Sequence, residues 1–160
     1  MNGWENFLVA QVGASAALAG LIFVGVSINL SRILSVPMLP NLALEALIYL
    51  LTVLLLASVL LVPDQPLTLN GVEILLVGIA NWVVLWRIDT NSYHKTDPSY
   101  YSRIRNNSIL NQVVILPYLL TGVAVLVWGR PGLYGLVPIV LLSIIKAMID
   151  AWVLLIEIMR

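Results

Sequence analysis

Ser143, Lys146, Asp150, Val153, Glu157 and Arg160 recur at steps of three and four near the C-terminus, so a helix carries them on one face. Lys146 and Asp150 are four apart and can pair directly. Lys146 stands about 13 residues into an apolar stretch, roughly 20 Å along a helix rising 1.5 Å per residue. A charge at that depth of a bilayer costs at least about 2.5–3.5 kcal/mol, so it must face a bundle interior or water. Two chemistries fit: a neutralised ion pair that fixes helix rotation, or part of an ion or proton pathway. A Ser143–Lys146 nucleophilic dyad is conceivable, but serine near lysine on a helix is commonplace.

Other intramembrane polar residues extend the candidate network. Glu45 shares a face with Tyr49 and Thr52 and can meet Lys146 across helices; alternatively it is an interfacial carboxylate near a helix N-terminus. Glu73 and Asn81 lie eight apart on nearly one face, with Asn70 at its mouth, and Gln11 is a possible partner for Glu73. Asn111 and Gln112 read as helix-to-helix hydrogen-bonding amides. Arg103 and Arg105, beside Tyr100, Tyr101 and Ile104, make a basic-aromatic patch suited to anionic lipid headgroups, though topology marking explains them equally well. His94 is the only histidine and there is no cysteine, so no metal site is expected, and no cofactor.

A third feature is a smooth seam near the N-terminus. Gly3, Asn6, Ala10, Gly13, Ala17, Gly20, Val24, Ser27 and Ser31 alternate at steps of three and four, and all but Val24 are small or polar. Such rows let helix backbones approach closely in lipid. The seam therefore marks either the buried centre of one bundle or a surface for self-association or pore lining. The helix-packing residues expected from it are Ala10, Gly13, Ala17, Gly20 and Ser27.

These residues need helices to position them, and the composition supplies those. The chain has 160 residues, 61% hydrophobic and 10% charged, whereas soluble domains are about a quarter charged. Apolar runs near the roughly 20 residues that cross a bilayer predict an all-α transmembrane bundle in a single domain. Five spans are expected, at about 7–30, 41–62, 67–86, 109–128 and 133–158, with a polar loop at 87–108. Asp97–Pro98 reads as a helix cap, from which a helix runs unbroken into the fourth span unless Asn106, Asn107 and Ser108 interrupt it. Pro117 should kink that span, Pro138 lies in the first third of the next, and Leu54, Leu55, Leu56, Leu60 and Leu61 are expected to face lipid. The first six residues carry Glu5 and no Lys or Arg, so a cleaved signal peptide is not expected.

Arg32, Arg87, Lys95, Arg103, Arg105 and Arg160 collect on one side and Arg130 alone on the other. That bias places the N-terminus outside and the C-terminus in the cytoplasm. Trp4, Phe7, Trp128 and Tyr134 form one aromatic belt, and Trp82, Trp86, Tyr93, Tyr100 and Tyr101 the other. With zero net charge and no basic stripe, nucleic acid is not an expected partner. The expected function is a homo-oligomeric channel or transporter for an ion or small solute in a cell membrane, by this pattern a bacterial inner membrane. The alternative is a non-catalytic assembly or regulatory subunit with a membrane-protein partner. An enzyme is not expected.

Overall fold

The computed structural model describes residues 3–36, 38–95 and 101–159, without the side chains of 93–95 and 158–159. Asp97, Pro98 and Tyr100, the side chains of Tyr93, His94 and Lys95, and Arg160 lie outside the described residues. Six α-helices and no strand occur among those described: α1 (Glu5–Ile28), α2 (Leu30–Ser35), α3 (Leu39–Leu60), α4 (Leu67–Lys95), α5 (Tyr101–Trp128) and α6 (Leu136–Met159), with a 3-10 turn at Arg130–Gly135. Five segments are long and apolar enough to cross a membrane: α1, α3, α4, α5, and α6 with its leading turn. The surface is correspondingly apolar, with Leu21, Ile28, Leu120 and Val127 exposed. The chain is a multi-pass membrane protein built as an all-α bundle.

Local chemistry explains where helices stop. Asn29 ends α1 and donates its side-chain amide to the Gly25 carbonyl, satisfying an acceptor the helix leaves open. Pro40 falls in the first turn of α3, where its missing N–H costs nothing. Asp64, at φ 58, takes the left-handed position in the Pro63–Pro66 turn, which a short polar side chain tolerates. Gly129, at φ 68, closes α5. The fifth span, expected from about 133, begins with the 3-10 turn at 130–135, and its regular α-helix starts at Leu136, so Pro138 falls in the first turn of α6, where its missing N–H is tolerated.

The expected polar loop at 87–108 is mostly helix. Helix α4 runs on to Lys95, and α5 is already helical at Tyr101, with Asn106, Asn107 and Ser108 inside it. Several polar residues of these stretches find partners on neighbouring helices: Ser108 on Asp89 across the α4–α5 pair, and Asn107 and Ser92 on Glu45 and Asn41 of α3.

Packing places α3 at the centre. It contacts α1, α4 and α6, while α4 pairs with α5, and α6 also packs on α5. In α3, 50% of the membrane window is buried, against 11% in α1. Leu56 and Leu60, expected to face lipid, are therefore core residues, whereas Leu55 is exposed as expected. Glycines tighten the α4–α5 pair: a Cβ on Gly78 would sit 2.8 Å from Tyr118 Cβ, and one on Gly122 would sit 3.0 Å from the Leu75 backbone nitrogen.

The α1 seam is not part of this core. Ala10, Gly13, Ala17, Gly20 and Ser27 are all exposed, and a Cβ on Gly13 or Gly20 would meet nothing within 4 Å. A different face of α1, with Leu8, Val12, Ser15, Leu18, Ile22 and Val26, turns inward. Larger apolar side chains fill that contact, and so the seam is left looking away from the bundle. Of the two readings of the seam, the buried centre of one bundle is not what the fold builds.

Candidate functional site

Three helices bring ionisable side chains to one place in the half of the bundle that ends at Arg103. Lys146 on α6 is 2% exposed, Glu45 on α3 is 2%, Asp150 on α6 is 2% and Asp89 on α4 is 4%. The Lys146 ammonium donates to both Asp150 oxygens at 2.6 and 2.5 Å, and to Glu45 Oε2 at 3.4 Å. Its nitrogen also stands 5.5 Å from the centre of the Tyr49 ring, within cation–π range. The i,i+4 spacing read from sequence is thus realised, and so is the cross-helix meeting of Glu45 with Lys146. The alternative of an interfacial, water-facing Glu45 is not what the fold builds.

Helix α5 supplies the neutral donors. Asn107 Nδ2 donates to Glu45 Oε2 at 2.8 Å, and Asn111 Nδ2 to the same oxygen at 3.2 Å. Asn111 also reaches Asp89 Oδ1 at a long 3.5 Å, while Ser108 donates to Asp89 Oδ2 at 2.7 Å. The Tyr49 hydroxyl donates to Asn111 Oδ1 at 2.8 Å, which fixes that amide's orientation. Asn111 therefore links the Glu45–Lys146–Asp150 triad to Asp89.

Charge balance is the chemical content of the site. Three carboxyl groups face one ammonium, so full ionisation leaves excess negative charge in the interior. Removing an ion from water costs several kcal/mol unless it is compensated, so the cluster favours acquiring positive charge, as protons or a small cation. No group of three or more His, Asp or Glu side chains among the described residues is arranged around a metal position. The Lys146 ammonium itself stands between Glu45 and Asp150. A cavity of about 10 Å³ adjoins the cluster, lined by Asn41, Glu45, Asp89, Ser92, Ile104 and Asn107 among others. That is room for about one water molecule. Asn41 and Ser92 are joined across it at 2.7 Å.

The remaining candidates fall elsewhere. Ser143 is fully buried but pairs with the Tyr118 hydroxyl at 2.8 Å, about two turns along α6 from Asp150. Glu73 lies towards the opposite end, where it accepts from Gln65 Nε2 at 3.1 Å rather than from Gln11. Asn81 is buried on α4 and joins neither group. Arg103 is exposed and bonded to Glu157 at 3.0 Å, so part of its charge is already answered; Arg105 is exposed.

Sequence reasoning missed Asp89, Asn107 and Ser108 as site residues because they fell in the expected loop, and read Asn111 as a packing amide. The signal was present on α5: Ile104, Asn107, Asn111, Val114, Tyr118, Thr121 and Val125 run at steps of three and four straight through the supposed boundary. Comparison with protein-family models, curated proteins and solved structures finds no match to this chain, so its function must be argued from the geometry of the charged cluster.

Proposed function

We propose that this protein moves a small ion across a membrane, as a channel or transporter, with the Glu45–Asp89–Lys146–Asp150 cluster as its ion-handling site. One observation carries the reading: four buried ionisable groups, contributed by three helices and bridged by amides of a fourth, hold three acids against one base in the interior of a membrane bundle. A purely structural ion pair needs equal numbers of acids and bases; this excess of acid is what a site that takes up and releases positive charge requires. Intramembrane ionisable residues turned to a bundle interior are characteristic of such pathways.

The working unit we propose is a homo-oligomer in a bacterial inner membrane, joined through the outward seam of α1. Small side chains at Ala10, Gly13, Ala17 and Gly20, unused within the protomer, offer close backbone approach to a second copy. The same surface also suits the alternative of a non-catalytic subunit packed against a different membrane protein.

The test is ion flux into liposomes reconstituted with the full chain. Flux above that of protein-free vesicles, lost in Glu45→Gln and Asp150→Asn variants that keep the wild-type melting temperature, is the expected result. Unchanged flux in both variants would remove the cluster from the mechanism. A constant companion on purification from native membranes, with no flux, would favour the subunit reading.

A further inference from the structure

We propose that the inward line of α4 is a water-bearing proton relay joining the charged cluster to Glu73 at the other end of the bundle. It rests on the ion-handling reading and names the ion as a proton. Among the described residues, every buried side-chain nitrogen or oxygen without a hydrogen-bond partner lies on α4 or on Gln65 just before it: Gln65 Oε1, both amide atoms of Asn70, Glu73 Oε2 and both amide atoms of Asn81. Asn70 is 0% exposed and Asn81 5%.

This pattern differs from packing. A structural amide in a membrane bundle hydrogen-bonds across to a neighbouring helix, as Asn111 does here. Asn70 and Asn81 reach no such partner, and lipid offers none. A side-chain amide carries two donors and an acceptor, which matches the two to four hydrogen bonds a buried water makes. At the Glu73 end, Gln65 donates to one carboxyl oxygen, leaving Glu73 Oε2 and Gln65 Oε1 as two acceptors with no donor. A proton on Glu73, or a water between them, supplies it.

The spacing forms a line. Asn70, Asn81 and Ser92 recur every eleven residues, close to three full turns, so they fall on one face. From Asn70 to Ser92 that face extends roughly 33 Å, comparable with the roughly 30 Å hydrocarbon core of a bilayer. Ser92 lines the cavity beside Glu45 and Asp89. Asn81 stands eight residues from both Glu73 and Asp89, about 12 Å along the axis and about 80° around the helix each way, so each gap takes more than about three waters at hydrogen-bond spacing. In each hop one O–H bond forms as another breaks, so one proton's charge crosses and no atom changes oxidation state.

The experiment uses the full-length chain in liposomes with an entrapped pH indicator and an imposed potential, alongside hydroxyl-radical footprinting of the wild-type protein. Asn81→Leu should slow proton entry by at least about tenfold, as should Asp89→Asn. Leu85, one turn from Asn81, and Ile74, one turn from Asn70, are as fully enclosed in apolar clusters as Leu56 and Leu60, Ile74 in the same cluster as those two; water along α4 should nonetheless make Leu85 and Ile74 label well above Leu56 and Leu60. Asn81→Leu passing protons at the wild-type rate while Asp89→Asn is inactive overturns the relay and leaves the ion-handling reading intact. Labelling of Leu85 and Ile74 no stronger than of Leu56 and Leu60 overturns it independently of any variant. Wild-type vesicles as tight as protein-free ones sink the ion-handling reading and the relay together.

Discussion

Lys146 is the residue on which the interior charge depends. Removing it leaves Glu45 and Asp150 facing each other without a cation, and breaking one side of a buried ion pair costs about 3–5 kcal/mol. Lys146→Met should therefore destabilise the protein by that amount in detergent unfolding. Adding Glu45→Gln and Asp150→Asn should recover most of the loss, because neutral amides need no counter-charge; absence of recovery would mean that the ammonium acts through packing. Tyr118 and Ser143 offer a smaller test. Their hydroxyls meet at 2.8 Å in a fully buried contact, and such pairs couple by about 0.6–1.7 kcal/mol in membrane proteins. A double-mutant cycle with Tyr118→Phe and Ser143→Ala should return a coupling in that range, and a value near zero would show the contact to be energetically idle. The ion pair was legible from sequence because both partners lie on one helix at a fixed spacing. Glu45 was harder to place: its depth said interface, and only the extension of α5 past Ser108 brought donors to it.

At the scale of elements, the small residues divide into two groups that look alike in sequence and differ in use. Gly78 and Gly122 lie where α4 and α5 touch, and a side chain there meets Tyr118 or the Leu75 backbone. Gly13 and Gly20 on α1 face open space. Gly122→Val should lower the unfolding midpoint clearly, since overpacking costs about 1–3 kcal/mol. Gly20→Leu should leave the unfolding of the protomer unchanged and shift the proposed oligomer towards monomer in mild detergent. If Gly20→Leu destabilises the protomer itself, the seam packs inside it after all. The five spans could be read from hydropathy because apolar length is a local property. Which helix is central could not, since α3 and α1 are both apolar and only contacts from other helices separate them. The polar end of α4 reads as loop, and that of α5 as either loop or an unbroken helix, because residues such as Asp89 and Asn107 look solvated when their partners, 19 or more positions away along the chain, are not considered.

At the scale of the whole molecule, the charged cluster is placed asymmetrically. Its small cavity lies at the end that also carries Arg32, Arg87, Arg103 and Arg105, while Arg130 stands alone at the other. The excess of arginine predicts that this end faces the cytoplasm, so the acids would exchange protons more readily with the cell interior, and Glu5 and the Pro63–Pro66 turn would face outward. The absence of cysteine makes the orientation directly measurable. Glu5→Cys and Ser35→Cys put single thiols at exposed positions of opposite ends. A membrane-impermeant maleimide applied to intact cells should label the first and spare the second, and inverted vesicles should reverse the pattern. The opposite labelling would turn the bundle over, placing the cluster's cavity on the outer side and making Glu73 the inner terminus of the proposed relay.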